Sequence, residues 1–296
     1  MGRVANAIGL RAATLTLRTS GRVRHCRPLL VTGAARSGTT WLGEVVADAL
    51  GLPMLFEPDH PRHAIAYAQR PRIGLDPDTA ALYRRVLRGR VVPLGSTRHA
   101  VRALRTPGVV IKSIHAVPHL PVLASDGHEL HAVLVVRHPG AVVASRLRHT
   151  GFAPKRPEDV VTPELLAVEP TLVDARDRAR SPAQRHALRW AVDHLAVAKA
   201  TAPWWHGVAH EVLRSEEDVL RRLLESLADG ELMARSWRTD RPSATAWSTG
   251  AGADDWREQL GPAGIREILE ITRSVGIGWY DEDPLPVLPI PGVPST

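Results

Sequence analysis

The segment Leu29-Leu30-Val31-Thr32-Gly33-Ala34-Ala35-Arg36-Ser37-Gly38-Thr39-Thr40-Trp41-Leu42 carries the strongest signal in this chain. Its first four residues form an apolar run suited to a buried strand. Gly33 to Gly38 read as a turn, after which Leu42, Val45, Val46 and Ala49 fall on one face of a helix. A strand, a glycine-bearing turn and a helix in this order aim backbone N–H groups and the positive helix end at one point, where an anion can sit. The spacing of Gly33, Gly38 and the following hydroxyls is that of a phosphate loop. Thr39, however, stands where triphosphate-binding loops carry Lys, and Arg36 inside the loop supplies a cation instead. The loop therefore fits an anion other than a magnesium-bound triphosphate.

A second segment has the same form. His131-Ala132-Val133-Leu134-Val135-Val136 reads as a strand, Arg137-His138-Pro139-Gly140 as a turn, and Ala141 to Leu147 as a helix bearing Ser145. Arg36-Ser37-Gly38-Thr39-Thr40-Trp41-Leu42, taken with Arg137 and Ser145 at this spacing, resembles the two nucleotide signatures of the sulfotransferases. The resemblance implies a P-loop-containing α/β fold of three layers, a central parallel sheet flanked by helices. It also implies 3′-phosphoadenosine 5′-phosphosulfate (PAPS) as co-substrate and 3′-phosphoadenosine 5′-phosphate (PAP) as product. Arg36, Ser37, Gly38, Thr39, Thr40 and Trp41 would then surround the 5′-phosphosulfate, and Arg137 and Ser145 would share the 3′-phosphate.

The resemblance extends further along the chain. Val208-Ala209-His210-Glu211-Val212-Leu213 is similar to the family's Tyr-Glu-Asp-Leu strand, with His210 in place of Tyr and Val212 in place of Asp. Arg241-Pro242-Ser243-Ala244-Thr245 and Asp255-Trp256-Arg257-Glu258-Gln259-Leu260 resemble the closing segment of bacterial and carbohydrate sulfotransferases. Ser248-Thr249-Gly250-Ala251-Gly252-Ala253 lacks the basic residues of the closing loop in the phenol and steroid enzymes. Coverage is residues 28–282, leaving a basic N-terminal extension (1–27) and a Pro-rich tail (283–296) outside it.

Moving a sulfuryl group requires charge stabilisation at the departing phosphate and a base for the acceptor proton. Arg36, the N–H groups of Ser37 to Thr40 and the two Thr hydroxyls suit the first task, and Lys112 at a strand end suits the transferring sulfonate. Thr39 and Thr40 are expected both to cap their helix and to bind. Two residues compete as base. Glu57, in Leu55-Phe56-Glu57-Pro58, resembles the Glu-Pro of carbohydrate sulfotransferases, and its plain alternative is a loop carboxylate. His115, in Lys112-Ser113-Ile114-His115, resembles the catalytic His of the cytosolic branch displaced by one residue, and its alternative is a structural histidine. Trp190 reads as adenine platform or core.

Composition bounds the rest. The 296 residues, 44% of them hydrophobic, suffice for one sizeable α/β core. A formal charge of +7 suits anionic ligands, but no Lys/Arg run interleaved with aromatics marks a nucleic-acid surface. The single cysteine, Cys26, forms no internal disulfide, and with no spanning segment in the sequence a cytoplasmic location is expected. Arg3, Arg11 and Arg18 punctuate an N-terminal stretch that reads as an amphipathic helix on the protein or on a membrane surface, or as a frayed extension. The fourteen histidines are scattered along the sequence, and no metal centre is expected.

Four apolar runs, Leu29–Thr32, Val109–Lys112, Ala132–Val136 and Val208–Leu213, predict the core strands of a parallel sheet. Residues 52–108 and 150–182 read as long irregular connections, apart from helical periodicity around Ala80–Leu87. The reading that follows is a sulfotransferase with a nucleotide donor and a hydroxylated carbohydrate, glycolipid or small-metabolite acceptor. The alternatives are a PAP-binding module without turnover and a degenerate P-loop phosphotransferase.

Overall fold

The computed structural model describes residues 27–60, 77–87, 108–123, 130–201, 203–228 and 255–292. Arg241–Thr245, Ser248–Ala253 and the N-terminal stretch with Cys26 lie outside the described residues. Five strands, β1 (Arg27–Thr32), β2 (Met54–Phe56), β3 (Gly108–Ser113), β4 (His131–Val136) and β5 (His206–Ala209), make one sheet in the order β2-β3-β1-β4-β5. Every pairing is parallel, with Leu30 opposite Ile111 on one side and Ala132 on the other. The expected α/β fold, a central parallel sheet flanked by helices, is thus present.

Alternation along the strands explains both layers. Leu30, Leu55, Val109, Ile111, Leu134 and Val136 belong to one apolar cluster. Leu29, Val31, Met54, Val110, Val133 and Val135 belong to the other. Strands covered on both faces need apolar residues at every position, which is why they read as short continuous runs. Helix α1 (Thr39–Ala49) covers the second face through Leu42, Val45 and Val46. On the first face lie the helices of Pro139–Arg148, Pro182–Ala198 and Asp255–Ser274, here α2, α3 and α4. The helical pattern around Ala80 is the helix Pro77–Leu87.

Two expectations need correction. The run expected as a strand over Val208–Leu213 is β5 only as far as Ala209, where its pairing with Val136 ends, and His210–Ser215 is helical. The chain turns there because the Glu211 carboxylate accepts a hydrogen bond from the His138 N–H at 2.8 Å, inside the fold. Residues 150–182 are also more regular than expected. They hold the helices Pro157–Val160, Pro163–Val168 and Leu172–Arg178, the first two opened by Pro at the position where its missing N–H costs nothing.

Candidate active site

The carboxyl ends of β1, β3 and β4 meet at a cleft of about 680 Å³. Ligands of open parallel sheets sit at that edge, where successive connections leave in opposite directions. Arg36, Gly38, Thr39, Thr40, Trp41, Glu57, Lys112, His115 and Arg137 all line it.

The loop from Gly33 to Gly38 makes a tight turn in which the Ser37 N–H donates to Ala34 O at 3.0 Å. Gly38 then takes a left-handed conformation (φ 85°, ψ 9°) and is the N-cap of α1, with no side-chain capping bond. Thr39 and Thr40 are therefore the first residues of the helix rather than its caps, and their N–H groups stand at the end where intrahelical acceptors run out. The Ser37 side chain is fully buried, its Oγ has no hydrogen-bond partner among the described residues, and it does not line the cleft. Arg146 holds the loop directly: its guanidinium donates to Ala35 O (3.3 and 3.2 Å) and to His186 O (3.4 Å). Complete burial lowers the pKa of that guanidinium to about 10.

Side-chain contacts join the two sequence motifs. Arg36 Nε donates to Ser145 Oγ at 2.9 Å, and Arg137 Nη1 donates to Arg36 O at 3.2 Å. Burial pulls the pKa of both guanidinium groups below the free value, and the positive charge of Arg148 adds to this at Arg36. Excess cation in a half-closed space favours the arrival of an anion.

Behind Arg137 the closing segment forms a clasp. His138 Nδ1 accepts from the Gly140 N–H (3.0 Å), so Nε2 carries the proton and donates to Asp281 O (2.9 Å). The ring packs on Trp256 at 4.4 Å and on Tyr280 at 5.0 Å. Tyr280 donates to Glu211 at 3.1 Å, and burial raises the pKa of both groups. Sequence reasoning assigned no role to Glu211, Tyr280 or His138. The one signal pointing to them was the similarity of Glu211 to the family's strand glutamate.

Also lining the cleft, Lys112 Nζ is bonded to Glu57 Oε1 and lies 4.3 Å from the Phe56 ring centroid. Burial lowers the pKa of the ammonium, and Glu57 opposes that shift. The pairing of Phe56 with Lys112 across β2 and β3 brings the two residues together. Glu57 has φ 45° and Arg36 has φ 76°, the two positive values outside glycine among the described residues. Such strain gathers where side-chain direction matters more than backbone comfort. Beneath them the buried Asp59 accepts from Tyr83 Oη (2.9 Å) and Ser113 Oγ (2.5 Å). Ser113 Oγ in turn accepts the N–H groups of His115 and Ala116, each at 3.0 Å. Burial lowers the pKa of His115, which keeps its ring neutral near pH 7.

One arrangement departs from the expected absence of a metal site: Glu57, His60 and His115 each offer a ligand atom within 4.8 Å of the other two. Trp190 is core, 1% exposed against His194 and Trp279, and takes no part in the cleft. Trp41 is buried beside His210 and Arg214 and still borders the cleft. His210 is a further residue unassigned from sequence. Its ring lies against Gly38, with a pKa pushed down to about 3, mainly by burial and further by Arg137 and Arg214.

No helix among the described residues is long and apolar enough to cross a membrane. No protein-family model matches this chain, and no curated protein matches it. Two solved structures are similar in arrangement. One is a sulfotransferase domain from the curacin biosynthetic pathway, 16% identical, covering 71% of this chain and 75% of that one at a TM-score of 0.38. The other is a sulfotransferase from Alicyclobacillus acidocaldarius, 15% identical, covering 84% of this chain and 96% of that one at a TM-score of 0.40.

Proposed function

We propose that this protein is a sulfotransferase that moves the sulfuryl group of PAPS to a hydroxyl of a carbohydrate, glycolipid or small metabolite. The observation that carries the reading is the Arg36–Ser145 hydrogen bond, which joins two strand–turn–helix motifs far apart in sequence beside a cleft that Arg36 and Arg137 both line. One phosphate group needs one such motif. Two, each ending in Arg or carrying it, suit a nucleotide with phosphates on both the 3′ and 5′ positions.

In this reading the loop N–H groups, Arg36 and the Thr39 and Thr40 hydroxyls hold the 5′-phosphosulfate, while Arg137 and Ser145 hold the 3′-phosphate. The acceptor oxygen attacks sulfur as the bond from sulfur to the bridging phosphate oxygen breaks. Negative charge growing on that oxygen is met by Arg36 and the helix end, and charge on the sulfonate by Lys112. The hydroxyl proton passes to Glu57, with His115 as the alternative base. PAP leaves as the anion.

Calorimetric titration with PAP, ATP and AMP, without added metal, tests the donor site. Binding of PAP with weak or absent binding of the other two supports the reading and justifies screening hydroxylated acceptors with PAPS. ATP bound as tightly as PAP with Mg present would replace it with a phosphotransferase. PAP bound, with no acceptor sulfated, would leave the nucleotide-binding module.

A further inference from the structure

We propose that Glu57, His60 and His115 form a binding site for a single divalent cation of the zinc class. Two segments build it. Glu57 and His60 lie in the turn after β2, where the His60 N–H donates to Glu57 O at 3.0 Å, and His115 lies in the turn after β3. Because β2 and β3 are paired neighbours, the two turns leave the sheet side by side.

The distances are close to what coordination needs. The three ligand atoms lie within 4.8 Å of one another. The ligand atoms of a tetrahedral zinc ion stand about 3.3 Å apart, from bonds of about 2.0 to 2.2 Å, so rotation about side-chain torsions closes the gap. The two imidazole rings already face each other edge to face, with centroids 5.5 Å apart.

A second observation is independent of this spacing. His115 Nε2 is buried and has no hydrogen-bond partner among the described residues. A buried polar atom left in this state calls for a ligand, an ion or a water. Lys112 does not close the site, because it bonds one Glu57 oxygen and the carboxylate has two. Its positive charge is balanced by Glu57 and by the buried Asp59, both of which act electrostatically on it and on His115.

Two imidazoles and one carboxylate favour zinc, cobalt or nickel over magnesium or calcium, which prefer all-oxygen sets. Three protein ligands at a cleft wall leave a fourth position open toward the cleft. Where the proposed function holds, the cation occupies the carboxylate proposed as base. Zinc would then suppress turnover and a chelator would restore it.

The test reads binding without turnover, so it stands apart from the sulfotransferase reading. The metal-stripped full chain is titrated with Co2+, following the visible absorption of four-coordinate cobalt, and then with Zn2+ as competitor. The expected result is one equivalent of Co2+ bound and displaced by Zn2+. His60→Ala and His115→Ala should each weaken uptake by more than ~100-fold, since even outer-shell partners of a metal are worth about 10–100-fold. His149→Ala, outside the cluster, should bind like wild type. His60 is only half-buried, so its variant is read first, with thermal melts to confirm folding. Absence of one-equivalent uptake by the wild type, or unchanged uptake in folded His60→Ala, overturns the proposal.

Discussion

Replacing Gly38 by Ala perturbs the loop between β1 and α1 in two separable ways. An L-residue at φ 85° carries a left-handed cost of about 1–2 kcal/mol. The added Cβ would also lie 2.2 Å from His210 Cδ2 and 2.7 Å from its Nε2. His210 is half-buried and packed on the edge of Trp41 (centroids 5.9 Å apart), so displacing it disturbs that contact. Overpacking of this kind costs about 1–3 kcal/mol. The total, about 2–5 kcal/mol, is measurable by urea unfolding. A double-mutant cycle with His210→Ala separates the parts. Removing the ring should return the overpacking portion, a coupling of about 1–3 kcal/mol, and leave the backbone portion in place. The loop N–H groups move with Gly38, so PAP affinity should fall in the single variant and partly recover in the double. Additive stabilities in the cycle would refute the claim that His210 buttresses the loop. A Gly38→Ala protein as stable as wild type would refute the left-handed geometry itself.

Glu57→Gln should leave PAP affinity close to wild type and slow turnover by at least ~100-fold, the low end for a lost general base; near-normal turnover in steady-state assays would move the base to His115. Arg137→Ala should weaken PAP in calorimetry while AMP binding barely changes, because AMP lacks the 3′-phosphate; equal losses for both nucleotides would reject that assignment. Acid should destabilise the fold through His138 and His194, whose pKa values burial holds at about 4, and His210, held at about 3, against 6.5 when exposed. The unfolded chain binds the extra protons, so stability present above about pH 6.5 is lost as pH falls toward 4, by roughly 2 kcal/mol per histidine between about pH 7 and pH 5. Urea unfolding across that window checks it, and a flat profile would contradict the neutral buried state of these rings.

The parts of the fold legible in the sequence were those whose pattern is local. The run Leu29–Thr32, the turn to Gly38 and the face of Leu42, Val45 and Val46 announce β1, the loop and α1 within one stretch. Strand β2 is three residues, too short for any periodicity, and it went unread. The prolines at 157 and 163 looked like irregularity because Pro breaks helices from inside, yet here each opens one. Val208–Leu213 looked like one strand because Val212 and Leu213 extend its apolar pattern. Only the long-range bond from His138 to Glu211 shows why the chain turns early. The same limit hid Glu57 with His60 and His115, and Asp59 with Ser113. These partners come from the turn after β2 and from the end of β3 and the turn after it, two neighbouring parallel strands joined by a long crossover, so no spacing motif records them.

The backbone supplies an argument for the site that owes nothing to sequence motifs. Among the described residues, Arg36 and Glu57 are the non-glycine positions with positive φ, and both line the cleft together with Lys112. A conformation costing about 1–3 kcal/mol persists only where the surroundings over-determine it. At Arg36 the surroundings are the Ser145 bond, the Arg137 bond to its carbonyl, and Arg146 beneath the loop. At Glu57 they are the Lys112 pair and the backbone bond from its N–H to Lys112 O at 2.8 Å. Each strained residue is therefore fastened on both its side chain and its backbone, and each turns a charged group toward the same space. A fold selected for stability alone would place glycine or asparagine at these two positions. Keeping Arg and Glu there makes sense if a cation and a carboxylate must both reach a ligand in the cleft they line.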